Sequence, residues 1–264
     1  TLTVSGQQNI CIGLDGGTAT TPATFNNSGI LQSSSTTSGA RIIIGPEDSA
    51  AAGPNFVAIA GGSVATPGQV NLTGNPANGF IGVHALDDGL TFNAGTNQTL
   101  NSGTGAGSVT QIGGGAAVTL AANANVRSTG GSRLDVFTTS LTTGQSSSLV
   151  NAQANSPINI GAGTITGCAG AFVVTGALSQ TTDGTGATAA QIRSTNGQIN
   201  FTPTSGQSLS FANSGTPAQL IVNSGTADVV TNTTNANTTV AANTTLAVTG
   251  NQLTMNVNDG TFSN

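Results

Sequence analysis

The sequence predicts an all-β chain wound as a β-solenoid, and three observations lead there. Apolar residues recur with period two in short runs, as in Leu2 and Val4, Ile10 and Ile12, Ile199 and Phe201, or Leu253, Met255 and Val257. That is the signature of half-buried strands, and no stretch sustains the 3.6-residue period of a helix. Turn dipeptides such as Asp183-Gly184 and Asn196-Gly197 separate the runs. In the last third the runs begin near Ile199, Leu209, Leu220, Val229 and Val240, about every ten residues. Short, evenly spaced strands suit coils that stack on their neighbours; a β-sandwich or jelly roll is the alternative with the same spacing.

Taken in order, residues 1 to 100 carry the longer and more apolar strands: "ARIIIG" at 40–45, "NFVAIAGG" at 55–62 and "NGFIGVHALDDGLTF" at 78–92. Pro22, Pro46, Pro54, Pro67 and Pro76 lie here, with five of the nine carboxylates. We expect a β-rich N-terminal cap or subdomain, because the open end of a solenoid needs a cover. Residues 101–264 read as a repetitive short-strand domain, with apolar clusters at Val109, Val118, Leu134, Leu149, Ile158 and Val173 before the evenly spaced last third.

The segment "TNTTNANTTVAANTTLAVTG" at 231–250 has no charge, aromatic ring or proline. It is expected to form two or more short strands with Val240, Leu246 and Val248 inward and much of the Asn and Thr at corners or outside. Apolar burial at about 25 cal/mol per Å² is the only term there able to stabilise a core. On that reading Val248→Asp damages the fold far more than Thr238→Asp.

Composition excludes several classes of function. Only 5% of residues are charged, lysine is absent, and Arg41, Arg127, Arg133 and Arg193 stand against nine carboxylates for a net charge of −5. No basic patch for phosphate exists, so nucleic acid is not expected as a partner. Disorder is excluded by 36% hydrophobic residues combined with so little charge. No apolar run is long enough to span a membrane as a helix, and Thr1 is expected to follow a removed export signal.

Chemistry-bearing residues are few. His84 is the only histidine, so an imidazole site has to be built around it; strand alternation groups it with Phe80, Gly82 and Leu86, and a structural role is expected. Glu47 with Asp48, and Asp87 with Asp88, would supply oxygen ligands for Ca²⁺, or else are solvated turn carboxylates. Cys11 and Cys168, the two cysteines, have no metal-ligand spacing; they are either buried thiols or a disulfide, within the chain or between subunits. Sequons occur at Asn26, Asn71, Asn97, Asn200, Asn232, Asn237 and Asn243; composition alone generates many, and glycans there would solubilise an uncharged surface. No catalytic role is expected.

The runs "IRSTNGQINFTPTSGQSLSFANSG" and "TTVAANTTLAVTGNQLTMNVNDG" resemble the repeats of secreted bacterial β-helix adhesins, of the filamentous-haemagglutinin and autotransporter-passenger type. "NPANGFIGVHA" at 75–85 is similar to the Asn-Pro-Asn-Gly motif of the two-partner-secreted members, with Ala77 in place of the second Asn. The resemblance implies a surface-exposed passenger for attachment or scaffolding.

Discarding charge and lysine removes the usual barriers to association. The function expected is therefore an extracellular, self-assembling subunit of a filament, sheath or surface layer, partnered by copies of itself. The alternative is a cell-surface adhesin that binds glycan or a host surface. A third reading is ice binding on regular Thr-x-Thr rows; Thr1-Leu2-Thr3 and Thr164-Ile165-Thr166 have the form but do not recur at one coil spacing.

Overall fold

A computed structural model describes residues 1–5, 9–47 and 54–264. Three sheets of nine parallel strands each run the length of the protein. The chain visits them in rotation, so each coil lays one strand on every sheet. Sheet 1 opens with Leu2–Val4 and ends with Thr244–Thr249; sheet 2 runs from Asn9–Gly13 to Leu253–Asn258; sheet 3 runs from Ala23–Asn26 to Phe262–Ser263. This is the β-solenoid, and the sandwich alternative is excluded, since adjacent strands belong to successive coils in parallel register.

The interior is a set of apolar columns, one residue per coil. Along sheet 2, Ile42, Ile81, Leu134, Ile158 and Ile199 face inward, with the buried Thr110 between Ile81 and Leu134 in the same column, and along sheet 3 so do Val57, Leu90, Val118 and Leu141. Period two in the sequence thus becomes one strand face turned to a common core. Phe201 and Phe211 meet edge to face there, with ring centres 5.2 Å apart and planes at 75°, the geometry that the ring quadrupoles favour.

Coil length is irregular: Asn97 stacks on Asn125, 28 residues on, Asn125 on Ser148 after 23, and Asn159 on Asn200 after 41. Insertions at the corners absorb the difference, so the strands repeat but the sequence does not. Corners are turned by asparagines in the left-handed region, including Asn75, Asn123, Asn155, Asn196 and Asn243, a conformation that Asn tolerates better than other residues with a side chain. Asn75 and Asn196 also accept from the backbone N–H of Thr104 and Thr226 in the following coil, so these two corners cap their neighbours.

Residue 100 lies inside the strand Asn97–Asn101, which pairs on both sides. The change of composition near it coincides with no break in the sheets.

Residues 231–250 supply the strands Val229–Thr234, Thr238–Val240 and Thr244–Thr249, with Val240 in the core and Leu246 and Val248 packed against it. The threonines depart from expectation. Thr231, Thr233 and Thr238 are buried in the interior, where Thr233 Oγ1 and Thr238 Oγ1 lie 3.1 Å apart. Threonine has the shape of valine, so it enters an apolar column at the cost of burying its hydroxyl; Thr233 and Thr238 offset that cost by bonding each other, whereas Thr231 Oγ1 is buried without a partner.

Candidate functional site

The outer faces of the three sheets differ in how their polar groups are used. On sheet 1, Asn125 donates to Asn97 Oδ1 (3.0 Å) and accepts from Ser148 Oγ (2.6 Å), forming a ladder up three coils. On sheet 2, Asn200 donates to Asn159, Asn159 donates to Asp135, and Arg133 pairs with Asp135 at 2.7 Å. Both ladders satisfy themselves. Sheet 3 has no charged residue in any strand. Thr91, Thr119, Thr142 and Thr181 stand in one outward row over four successive coils. A second row, two residues along the strands, runs Ser140, Ser179, Ser210, Thr239 and Ser263.

Sheet 2 carries the second feature. After Ile158–Gly161 the chain leaves the coil as an antiparallel hairpin, Gly163–Thr166 with Ala171–Val174. It lies against the outside of the sheet. Gln111 binds the hairpin as a neighbouring strand would, donating to Thr164 O (3.1 Å) and accepting from Thr166 N (2.7 Å). Missing side chains make the room: a Cβ at Gly113 would sit 2.7 Å from Ile165 Cδ1, and one at Gly163 would enter the Phe137 ring. Leu86, Ile165 and Val174 form a small core of their own here, flanked by Phe137 and Phe172. At the hairpin tip Cys168 is bonded to Cys11, on the first coil, with Cα atoms 5.9 Å apart. The hairpin is thus a strap from the sixth coil to the first.

His84 sits under this strap. It is fully buried on the outward side of its strand, and neither ring nitrogen has a hydrogen-bond partner; Gly45 packs on the ring, and a Cβ there would lie 2.5 Å from Nδ1. Burial lowers its pKa to about 4 from 6.5, because an imidazolium there loses its water. The unfolded chain therefore binds the proton first. The stability of neutral His84 is fully present above pH 6.5 and is lost progressively towards pH 4, by about 3 kcal/mol. Chemical denaturation at pH 7 and pH 4 should show this loss, and His84→Leu should shrink it; equal pH dependence in both proteins contradicts the assignment.

The remaining predicted sites scatter. Asp87 Oδ1 is buried without a partner and its carboxyl is raised, first by burial and then by neighbouring Asp88. Asp88 accepts from Asn55 N, and Glu47 N donates to Asp15; Asp48 lies outside the described residues. Among the described residues no three His, Cys, Asp or Glu side chains gather as metal ligands. Among the sequons, Asn26, Asn232, Asn237 and Asn243 are exposed, whereas Asn71 and Asn97 are buried with their amide nitrogens bonded to Gln69 and Gly95. Asn200 is half-buried and held in the sheet 2 ladder, so glycans have four accessible sites, not seven. Thr164-Ile165-Thr166 belongs to the strap. No helix among the described residues is long and apolar enough to cross a membrane.

Comparison of the chain with protein-family models, curated proteins and solved structures finds no match.

Sequence reasoning missed both the strap and the rows on sheet 3. The strap's signal was an extra apolar pair, Ile165 and Val173–Val174, around a cysteine in a glycine-rich turn. The rows were hidden by the changing coil length.

Proposed function

We propose that this chain is an extracellular structural β-solenoid, a subunit of a filament, sheath or surface layer that grows by coil-on-coil stacking. The observation that carries the reading is the state of the two end coils. Ile10, Ile12, Leu14 and Phe25 at one end, and Leu246 and Val248 at the other, are only partly covered, and Leu2, Leu253 and Phe262 are exposed. Edge strands are ordinarily blunted by lysine, other charges or proline. The six strands of the first and last coils contain none of these, so a further coil, from another copy or from more of the same chain, would meet backbone groups and apolar columns in its own register. The Cys11–Cys168 bond accords with an oxidising exterior.

Size-exclusion chromatography at rising concentration, followed by negative-stain microscopy, tests this. Nine rungs span roughly 40 Å, and rods longer than that are expected, growing with concentration. Leu253→Lys with Phe262→Lys should shorten them by charging the edge. A monodisperse monomer at every concentration overturns the proposal and favours the adhesin passenger.

A further inference from the structure

We propose that the outer face of sheet 3 binds ice, by ordering water on its two hydroxyl rows. This goes beyond the structural role, since it uses a side of the solenoid and not its ends.

The first argument is availability. On the outer faces of sheets 1 and 2, Asn97, Asn125, Ser148, Asp135, Asn159 and Asn200 are consumed in ladders, and the groups left over on sheet 1 include the charged Arg127 and Arg193. The hydroxyls of Thr91, Thr119, Thr142 and Thr181 bond no protein group among the described residues, although they stand in register one coil apart. Four successive threonines left free on one column, beside self-satisfied ladders on the other sheets, leave a row of donors and acceptors turned to solvent.

The second argument is spacing. Parallel strands place the threonines about 4.8 Å apart up the sheet, and the second row lies two residues away, about 6.7 Å along each strand. The result is a rectangular grid, complete on the rungs Ser140/Thr142 and Ser179/Thr181. Its shorter repeat is close to that of oxygen atoms along one axis of the ice lattice. Threonine is stiff at χ1, so its methyl and hydroxyl hold their positions with little ordering cost, and the methyl keeps neighbouring water from competing with the grid.

The third argument separates ice from other extended partners. Anionic polymers and surfaces need cations, and sheet 3 has no charge in any strand. Carbohydrate faces are gripped by exposed aromatic rings; the chain has no Trp or Tyr, Phe92 and Phe211 of sheet 3 are buried in the core, and Phe25 and Phe262 stand in the inward columns of the two end coils, off the outer face. An uncharged, ring-free grid of methyls and hydroxyls matches a lattice that is itself uncharged and built of hydroxyl donors and acceptors.

The experiment is nanolitre osmometry on the purified chain with a single ice crystal. Faceting of the crystal and a gap between melting and growth temperatures are expected. Thr119→Tyr with Thr142→Tyr, which puts two bulky rings on the grid, should abolish both while circular dichroism and melting temperature stay unchanged. Thr142→Lys is the second variant if the double substitution fails to fold, with the same loss expected. Val150→Tyr, on the outside of sheet 1, should leave the gap intact. Unshaped crystals with the parent protein overturn the proposal; so does activity that survives the sheet 3 variants or is lost with Val150→Tyr. Binding to microcrystalline cellulose or chitin without an effect on ice overturns it as well.

Discussion

Replacing Cys168 by serine is expected to destabilise the protein by about 5 kcal/mol at most and to do so unevenly along the solenoid. The bond closes a loop of 157 residues, and the chain-entropy treatment of so long a loop gives about 5 kcal/mol. Its distribution follows from the architecture. A solenoid is held by contacts between successive coils, so its terminal coil frays at the cost of one interface. Cys11–Cys168 is a link of another kind, because it ties the first coil to a strap that leaves the sixth. Hydrogen exchange should therefore accelerate in Asn9–Gly13 and in the hairpin 163–174, while the Phe201 and Phe211 region keeps its protection. The same pattern is expected when the parent protein is reduced under native conditions. Uniform acceleration throughout, or no change in the hairpin, rules out the strap as a clamp on the first coil.

The second large effect is expected at Thr238, and it reverses the order that alternation suggested. Thr238 is fully buried with its hydroxyl against Thr233, whereas Val248 is half-buried in the last coil. A carboxylate at Thr238 is shut off from bulk solvent and must be protonated or expose the core, at a cost of several kcal/mol. Thr238→Asp should then lower the melting temperature more than Val248→Asp, and Thr245→Asp, on an exposed position of the same strand as Val248, should leave it nearly unchanged. Equal effects of Thr238→Asp and Thr245→Asp would mean that the eighth coil is not closed.

Period two, the turn dipeptides and the ten-residue rhythm determined the fold class, since each reports a local rule: which face of a strand meets apolar surface, and which residues turn a corner. The inward direction of Val240, Leu246 and Val248 was legible for the same reason. Whether a particular threonine points in was not, because Thr231 and Thr238 occupy positions that larger apolar residues, Phe201 and Leu209, fill in the preceding coil, and only the closed coil brings Thr233 against Thr238. Local sequence was equally silent on pairs that contact across coils. Cys11 and Cys168 meet because five coils of stacking bring the hairpin over the first, and His84 is buried by a strap that begins some eighty residues later. The rows of sheet 3 are the clearest case: Thr119 precedes Thr142 by one coil and Thr142 precedes Thr181 by a longer one that includes the strap. Register in a parallel sheet is set by hydrogen bonds between strands, which corner insertions leave untouched, so the column is regular in space while its residues are irregular along the chain.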